Sequence, residues 1–170
     1  DNMRIRTGKY RNRNLHLPRG IRPTQEKVRK AVFDILGDIE GLSFLELFCG
    51  SGAVGFEAAS RGAREIVLVE QDRGCLQVIQ ETRQALKLEN CAIIPSSADT
   101  AVTRLHQRAR RFDIIFLDPP YYGELAKKAL QNLGAYDILA PNGFIVIQHF
   151  KQDDLPAQAP GLTRVKEASY

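Results

Sequence analysis

The sequence predicts an α/β fold with a doubly wound, mostly parallel sheet, preceded by a basic N-terminal hairpin and a helix. From Leu42 onward, short apolar runs alternate with longer segments of helical periodicity, as in strands joined by helical crossovers. The runs are apolar on both faces, which is typical of strands covered by helices on both sides. At 170 residues, the chain is long enough for one domain of this kind.

The first segment alternates polar and apolar residues and is positively charged. Residues 3–17 alternate polar and apolar side chains around a central polar stretch, which predicts a short, partly exposed hairpin. Residues 1–30 hold ten Lys and Arg against two acids, a net of +8, whereas residues 31–170 carry a net of −4. This asymmetry favours an arm that binds a polyanion over a merely solvated charged surface.

A helix is expected to follow the hairpin. Thr24 is a suitable N-cap, and apolar residues recur at helical spacing as far as Leu36. Lys27, Arg29 and Lys30 lie off that apolar stripe, so we expect them to extend the basic surface. Residues 1–40 are therefore interpreted as an RNA-binding hairpin plus helix, and residues 41–170 as the main domain.

The main domain is predicted to contain five strands separated by four helices. The strands are Phe44–Phe48, Ile66–Val69, Cys91–Ile94, Ile114–Leu117 and Phe144–Ile147. The helices are Ala53–Ser60, Gly74–Leu88, Thr100–Ala109 and Glu124–Leu139. Pro141-Asn142-Gly143 predicts a turn before the fifth strand, and Leu162–Ala168 is a candidate sixth strand. The chain ends at Tyr170 without a further apolar run, so we expect the last strand of the domain to be absent.

Composition excludes several classes of protein. Hydrophobic residues make up 44% and charged residues 26%, which is typical of a globular chain. No apolar segment approaches the roughly 18 residues that a membrane span needs. The three cysteines lack CxxC spacing and the three histidines are scattered, so neither a disulfide framework nor a metal site is expected. A reducing cytoplasm is the expected compartment.

Acidic residues recur near the carboxyl ends of the first four predicted strands, where doubly wound sheets bind their ligands. These residues are Glu46, Glu70, Asp99 and Asp118. An unpaired carboxylate at the end of an apolar strand is costly, which favours a functional role for Glu46 and Glu70. Asp99 has an equally good interpretation as the N-cap of the following helix.

A glycine-rich turn follows the first strand. Gly50-x-Gly52-x-x-Gly55 matches the dinucleotide fingerprint, with Glu70 twenty residues after Gly50. A dinucleotide would place a doubly negative pyrophosphate on this turn. Glu46 would repel it, and residues 42–60 contain no lysine or arginine to compensate. An acid-lined site favours S-adenosylmethionine, which carries a sulfonium and an ammonium and no phosphate.

If the ligand is S-adenosylmethionine, each acid is expected to bind a different part of it. Glu46 lies near the methionine ammonium, Glu70 accepts both ribose hydroxyls, and Asp99 accepts from the adenine amine, which Ala98 flanks. The turn glycines approach the methionine and ribose without a Cβ to block them. The expected cofactor-binding residues are Glu46, Phe48, Gly50, Ser51, Gly52, Glu70, Gln71, Ala98 and Asp99.

Asp118-Pro119-Pro120-Tyr121 forms a rigid corner after the fourth strand. The two prolines end the strand, supply no N–H and keep the backbone extended. Carbonyl oxygens without a ladder partner, a carboxylate and an aromatic ring together suit a planar group bearing an NH2, such as a nucleobase. A plain strand-terminating turn is the alternative.

Taken together, these motifs resemble those of class I methyltransferases. Within that class the chain is similar to the bacterial RsmD family, the 16S ribosomal RNA guanine-N2 methyltransferases. The motifs that carry the resemblance are Leu45–Gly52, Val69–Asp72, Ser97–Asp99, Asp118–Tyr121, Gly8–Arg11, Arg22–Thr24 and Val28–Leu36. The departures from the family pattern are Cys49, Glu81-Thr82-Arg83 and Gln148.

The resemblance implies direct transfer of a methyl group to a guanine amine of 16S ribosomal RNA, free or within an assembling small subunit, by a monomer without a metal. Asp118, Pro119, Pro120 and Tyr121 are then the catalytic residues. The expected RNA-binding residues are Arg4, Arg6, Lys9, Arg11, Arg13 and Arg22. Methylation of adenine N6 in DNA or of a protein glutamine, and a dinucleotide-binding protein without methyltransferase activity, are the alternatives.

Overall fold

The predicted doubly wound parallel sheet is confirmed. The computed structural model describes residues 3–20, 26–120, 123–149, 155–156 and 158–169. Across these residues, the central sheet has the order β3-β2-β1-β4-β5, and every neighbouring pair is parallel. Its strands are β1 (Ser43–Leu47), β2 (Glu65–Glu70), β3 (Cys91–Pro95), β4 (Phe112–Leu117) and β5 (Leu139–Ile147). The order reverses between β1 and β4, which defines the switch point where such sheets bind ligands.

Helices cover both faces of this sheet. They are α1 (Glu26–Leu36), α2 (Ala53–Ser60), α3 (Arg73–Ala85), α4 (Ala98–Gln107) and α5 (Gly123–Ala135). One hydrophobic cluster joins α1, α2 and α3 to one face through Phe33, Phe56 and Ile79. A second cluster joins α4 and α5 to the opposite face. Within the described ranges no helix is both long and apolar enough to cross a bilayer.

The fifth strand starts earlier than its sequence predicts. Phe112 pairs with Leu139, and the next pairing is Ile114 with Phe144, so four residues of β5 lie opposite Asp113. The predicted turn at Pro141-Asn142-Gly143 is therefore a bulge inside the strand, where Asn142 has a φ of +62°.

The predicted sixth strand is wrong in extent. Only Leu162–Thr163 (β7) is extended and paired, and its partner is Gln158–Ala159 (β6) in a separate antiparallel pair. Residues 164–169 have no regular secondary structure. Val165 is 78% exposed, so this segment lacks the buried face that would fix a strand.

The N-terminal hairpin forms, and its inner side belongs to the core. Arg4 and Asn14 make an antiparallel bridge, and the amide of Ile5 donates to the carbonyl of Arg13 at 3.0 Å. Ile5 and Leu15 are buried in the cluster that also holds α2. The hairpin therefore packs on the main body, while the division of function at residue 40 stays a prediction.

Two residues of α2 hold the hairpin in place. The Glu57 carboxylate is 1% exposed and accepts the amides of Arg6 at 2.9 Å and Thr7 at 3.1 Å. Gly8, at a φ of +84°, passes so close to the Ser60 carbonyl oxygen that a Cβ would lie 1.8 Å from it. Because the hairpin covers its outer side, all eight residues of α2 are buried.

The expectation that Arg29 extends the basic surface is wrong. The residue is 1% exposed, and its Nη2 donates to the Arg4 carbonyl at 2.8 Å. Burial lowers the pKa of Arg29, and the nearby Glu57 carboxylate opposes that shift. The hairpin covers a helix position that would otherwise face solvent. Thr24, the predicted N-cap, lies outside the described residues.

Candidate active site

Three of the four strand-end acids come together at the switch point. Leu47 at the end of β1 is in register with Val69 of β2 and with Leu117 of β4. Glu70 and Asp118 therefore follow on either side of the turn that leaves β1. Both carboxylates interact electrostatically with Glu46, one residue before that end. The glycine turn thus lies among three acids.

The turn after β1 has an unusual backbone. Phe48 and Gly50 both have a φ of +55°, which is costly for a residue with a side chain such as Phe48. A Cβ on Gly50 would meet open space, whereas one on Gly52 would meet the side chains of Ile79 and Phe56 at 2.8 Å. Gly50 therefore borders a space that a ligand can enter, and Gly52 allows α2 to pack against α3.

Glu70 fastens this turn to the end of β2. Its Oε2 accepts the Gly50 amide at 2.8 Å, and its Oε1 accepts the amides of Gln71 at 2.9 Å and Asp72 at 3.0 Å. Both lone pairs of Oε1 are used, so one lone pair of Oε2 remains for a ligand. In this arrangement Glu70 offers one acceptor position rather than the predicted two.

Glu46 lies beneath the turn. It is 3% exposed, and its Oε2 accepts the amide of Gly55 in α2 at 2.6 Å. Burial raises the pKa of Glu46 well above its ordinary value, and the negative charges of Asp118 and Glu70 raise it further, while the hydrogen bond from Gly55 opposes the shift. This carboxyl group therefore supports the glycine turn from inside the fold.

Asp118 and the two prolines lie at the end of β4 as the sequence predicts. Burial raises the pKa of Asp118 to about 6. Pro119 is half-buried and Pro120 is exposed, so the corner lies at the protein surface. Tyr121 lies outside the described residues. A carboxylate with a pKa near neutrality at a strand end is typical of functional sites.

Asp99 differs from the other three acids. The N-cap of α4 is Ser97, whose hydroxyl accepts the Thr100 amide at 3.3 Å, so the interpretation of Asp99 as the cap is wrong. The Asp99 carboxylate instead contacts α5, with Lys128 Nζ at 3.0 Å and Asn132 Nδ2 at 2.5 Å. Sequence reasoning did not identify these two partners, because nothing local relates α5 to α4.

The other expected cofactor residues vary in exposure. Ser51 is 6% exposed and Ala98 8%, whereas Phe48 is half-buried and Gln71 is exposed. Cys49, which follows Phe48, is buried, and burial raises its thiol pKa well above the ordinary value. It is therefore a packing residue and not a nucleophile. Within the described residues no three potential metal ligands converge.

The cations predicted to bind RNA lie along the hairpin. Arg4, Arg6, Lys9, Arg11 and Arg13 are all exposed, and Arg22 lies outside the described residues. The side chains of three of them have partners within the protein, and Lys9 Nζ lies 5.4 Å from the centroid of the Tyr10 ring. Arg6 pairs with Glu26 at 2.6 Å, and Arg13 Nη2 donates to the Ala85 carbonyl at 2.7 Å, at the end of α3.

The residues that hold the hairpin were missed by sequence reasoning. Glu57 is a single acid inside the otherwise apolar helix Ala53–Ser60. A lone carboxylate among apolar residues is costly unless it is hydrogen-bonded, so this was the available signal for a buried contact. The signal identifies the need for a partner and does not identify the hairpin as that partner.

Comparison with known proteins links the chain to one family. The family model for conserved hypothetical protein 95 matches residues 3–170. Ribosomal RNA small subunit methyltransferase D of Escherichia coli K12 is 33% identical over 91% of this chain and 78% of that protein. The solved hypothetical protein TTHA0928 of Thermus has a TM-score of 0.82 and 34% identity over 91% of this chain and 90% of that one. SMU.776 complexed with SAH, at 23% identity and a TM-score of 0.64 over 75% of this chain and 36% of that one, shares the fold.

Proposed function

The chain belongs to the RsmD family, which the model for conserved hypothetical protein 95 describes, and we propose that it methylates the exocyclic N2 of a guanine in 16S ribosomal RNA. The methyl donor is S-adenosylmethionine. The observation that carries the proposal is the meeting of Glu46, Glu70 and Asp118 around the glycine turn at the switch point. The names of the relatives support ribosomal RNA as the substrate.

The residues at the strand ends fit this cofactor. Gly50 borders open space, and three acids approach a turn whose segment, residues 42–60, contains no lysine or arginine. Such a field attracts a ligand with positive charge and repels a pyrophosphate. When bound, S-adenosylmethionine supplies a methyl group on a positively charged sulfur.

Separate residues would hold the parts of the cofactor. The free lone pair of Glu70 Oε2 accepts a ribose hydroxyl, and the backbone at Gly50 approaches the ligand without a Cβ. Asp99 accepts from the adenine amine with the capacity that its bonds to Lys128 and Asn132 leave free. Glu46 acts by supporting this segment from inside the fold, through its hydrogen bond from the Gly55 amide.

Asp118 and the Pro119 carbonyl orient the target amine by accepting its two hydrogens. The lone pair of an exocyclic amine is delocalised into the base, so the reaction depends on orientation and on density returned to nitrogen. The pKa of about 6 keeps Asp118 ionised, and therefore able to accept, at neutral pH. Tyr121 stacks on the base in this proposal, as expected from the sequence.

The exposed hairpin holds the RNA. Arg4, Lys9 and Arg11 present positive charge on a segment that is fixed to α2 through Glu57. Neutralising phosphates with such residues releases counterions and gives affinity without sequence reading. The protein acts in the cytoplasm as a monomer, on RNA that is free or part of an assembling small subunit.

The test is methylation of 16S ribosomal RNA by wild type and by Asp118→Ala. Digestion of the product to nucleosides should give N2-methylguanosine with the wild type only. Titration should show that the variant binds S-adenosylmethionine almost as well, because Asp118 lies on the target side. Glu40→Gln, an exposed substitution, is the control.

Three results would overturn the proposal. They are near-wild-type turnover of Asp118→Ala, methylated adenine as the product, and tight binding of NAD in place of S-adenosylmethionine. The second result would favour the adenine alternative, and the third would favour a dinucleotide-binding protein.

A further inference from the structure

The outer side of α3 carries an open groove, away from the carboxyl ends of the strands. Its volume is about 340 Å³, and it is lined by Gln80, Arg83, Gln84, Lys87, Leu88 and Glu89. We propose that this groove is a second RNA-binding surface, which holds the phosphate backbone of the substrate next to the hairpin. The inference rests on the proposed function, because it assumes an RNA substrate.

The groove is built from one face of a helix. Gln80, Arg83 and Gln84 have the spacing i, i+3, i+4, so their side chains lie on one face of α3. Lys87 follows just beyond the end of the helix, where its φ is +54°, and also lines the groove. All four side chains donate hydrogen bonds, and two of them are cationic. A surface of aligned donors with positive charge matches the acceptor oxygens and negative charge of a nucleic acid backbone.

The hairpin and the groove are physically joined. Arg13 of the hairpin donates to the Ala85 carbonyl at the last residue of α3, where a cation also complements the helix dipole. His16 of the hairpin donates its amide to Thr82 Oγ1 at 3.2 Å, on the next turn back. The exposed cations of the hairpin and those of the groove therefore belong to one continuous surface.

The groove lining keeps a net positive charge, because Arg83 and Lys87 outnumber its one acid, Glu89. Glu81 is engaged by His16 Nδ1 at 3.7 Å and by Gln77 Nε2 at 3.3 Å. Glu89 is an acid of the groove lining, and it faces two cations there. The lining contains no aromatic side chain, and its one apolar residue, Leu88, is 6% exposed. This composition fits a hydrated polyanion better than a protein partner, which would need apolar anchors.

The position of the groove suits an extended strand. α3 begins at Arg73, three residues after Glu70 at the ligand-binding edge, and Arg83 lies ten residues further along. At 1.5 Å per residue the groove is about 15 Å from that edge along the helix axis. A chain of several nucleotides can therefore contact the groove and the hairpin while one base reaches the strand ends.

The experiment compares two charge-matched double variants. Arg83→Gln with Lys87→Gln removes two cations from the groove, and Arg104→Gln with Arg108→Gln removes two from the opposite side of the sheet. Binding of transcribed 16S ribosomal RNA is measured over a range of KCl concentrations. Loss of two phosphate contacts should lower the slope of log K against log salt by about 1.4–1.8 and weaken binding at physiological salt about 10- to 30-fold. The control pair should change neither value.

A third variant changes the charge of the groove in the opposite direction. Glu89→Gln removes the acid from the groove and should tighten RNA binding, whereas a merely solvated surface would respond to none of these changes. Affinity for S-adenosylmethionine should stay unchanged in every variant, because the groove is remote from the strand ends.

The outcomes separate the two proposals. If the wild type methylates 16S ribosomal RNA but the groove pair binds RNA as the wild type does, or the control pair weakens it equally, the groove inference is wrong and the function stands. If the wild type neither binds nor methylates this RNA, the proposed function fails and the inference fails with it.

Discussion

Asp118→Asn is expected to stabilise the fold at neutral pH. Burial raises the pKa of Asp118 from 3.8 to about 6. At about 1.4 kcal/mol per pH unit, the ionised carboxylate of the wild type costs the folded state about 3 kcal/mol above pH 6. Asparagine has the same shape and no charge, so the variant avoids this cost.

The sign of the pH dependence follows from the two pKa values. Below about pH 4 the carboxyl group is protonated in both the folded and the unfolded state, and the wild type and the variant should be equally stable. As the pH rises through the folded pKa of about 6, the wild type loses stability that the variant keeps.

Urea unfolding at about pH 8 and about pH 4 measures this difference directly. Glu40→Gln, which removes an exposed carboxylate, is the control. A variant that is less stable than the wild type at pH 8, or a difference that is the same at both pH values, would refute the reasoning that desolvation sets the pKa of Asp118.

Three further predictions concern the same site and the hairpin. The kcat/KM for RNA should fall about tenfold per pH unit below pH 6, because Asp118 is expected to accept the hydrogen bond from the target amine in its ionised form. A profile that is flat to about pH 5 would contradict this. Glu70→Ala removes the acceptor of the Gly50 amide in the turn and of two amides after β2, so the Kd for S-adenosylmethionine should rise at least about tenfold by calorimetric titration. An unchanged Kd would mean that the turn does not hold the cofactor. Gly8→Ala should lower the free energy of unfolding by about 1–3 kcal/mol more than Gly20→Ala does in urea titrations, since both glycines have positive φ but only Gly8 contacts the Ser60 carbonyl; equal effects would show that the contact is unimportant.

The strands and helices of the main domain were predictable because each carries its own signal. The apolar run before Asp118 can only be a strand buried on both faces, and the predicted helix Ala53–Ser60 has the observed bounds of α2. The meeting of Glu70 and Asp118 near Glu46 was also predictable, since parallel strands end at a common edge.

The predictions that were wrong concern residues whose surroundings are set by contacts between distant segments. Arg29 follows a helical pattern that places it on an exposed face, and only the hairpin, which covers that face, makes it a buried residue. The Asp99 alternative failed because Ser97, two residues earlier, is the cap, and the partners of Asp99 come from α5. The role of Glu70 in fastening the turn depends on backbone geometry at Gly50, which residue types do not specify.

Helix α2 connects the hairpin to the buried acid beneath the glycine turn. Glu46 holds the helix near its start through Gly55, and Glu57 ties its second half to the hairpin. Gly55 and Glu57 lie two residues apart, about 3 Å along the helix axis, and all eight residues of α2 are buried, so the position of the hairpin relative to Glu46 is fixed. If the hairpin binds the RNA as proposed, the bound strand would approach the carboxyl ends of the β-strands from a fixed position. The distance of a nucleotide from the hairpin would then help to determine whether it is modified, in addition to its own chemistry.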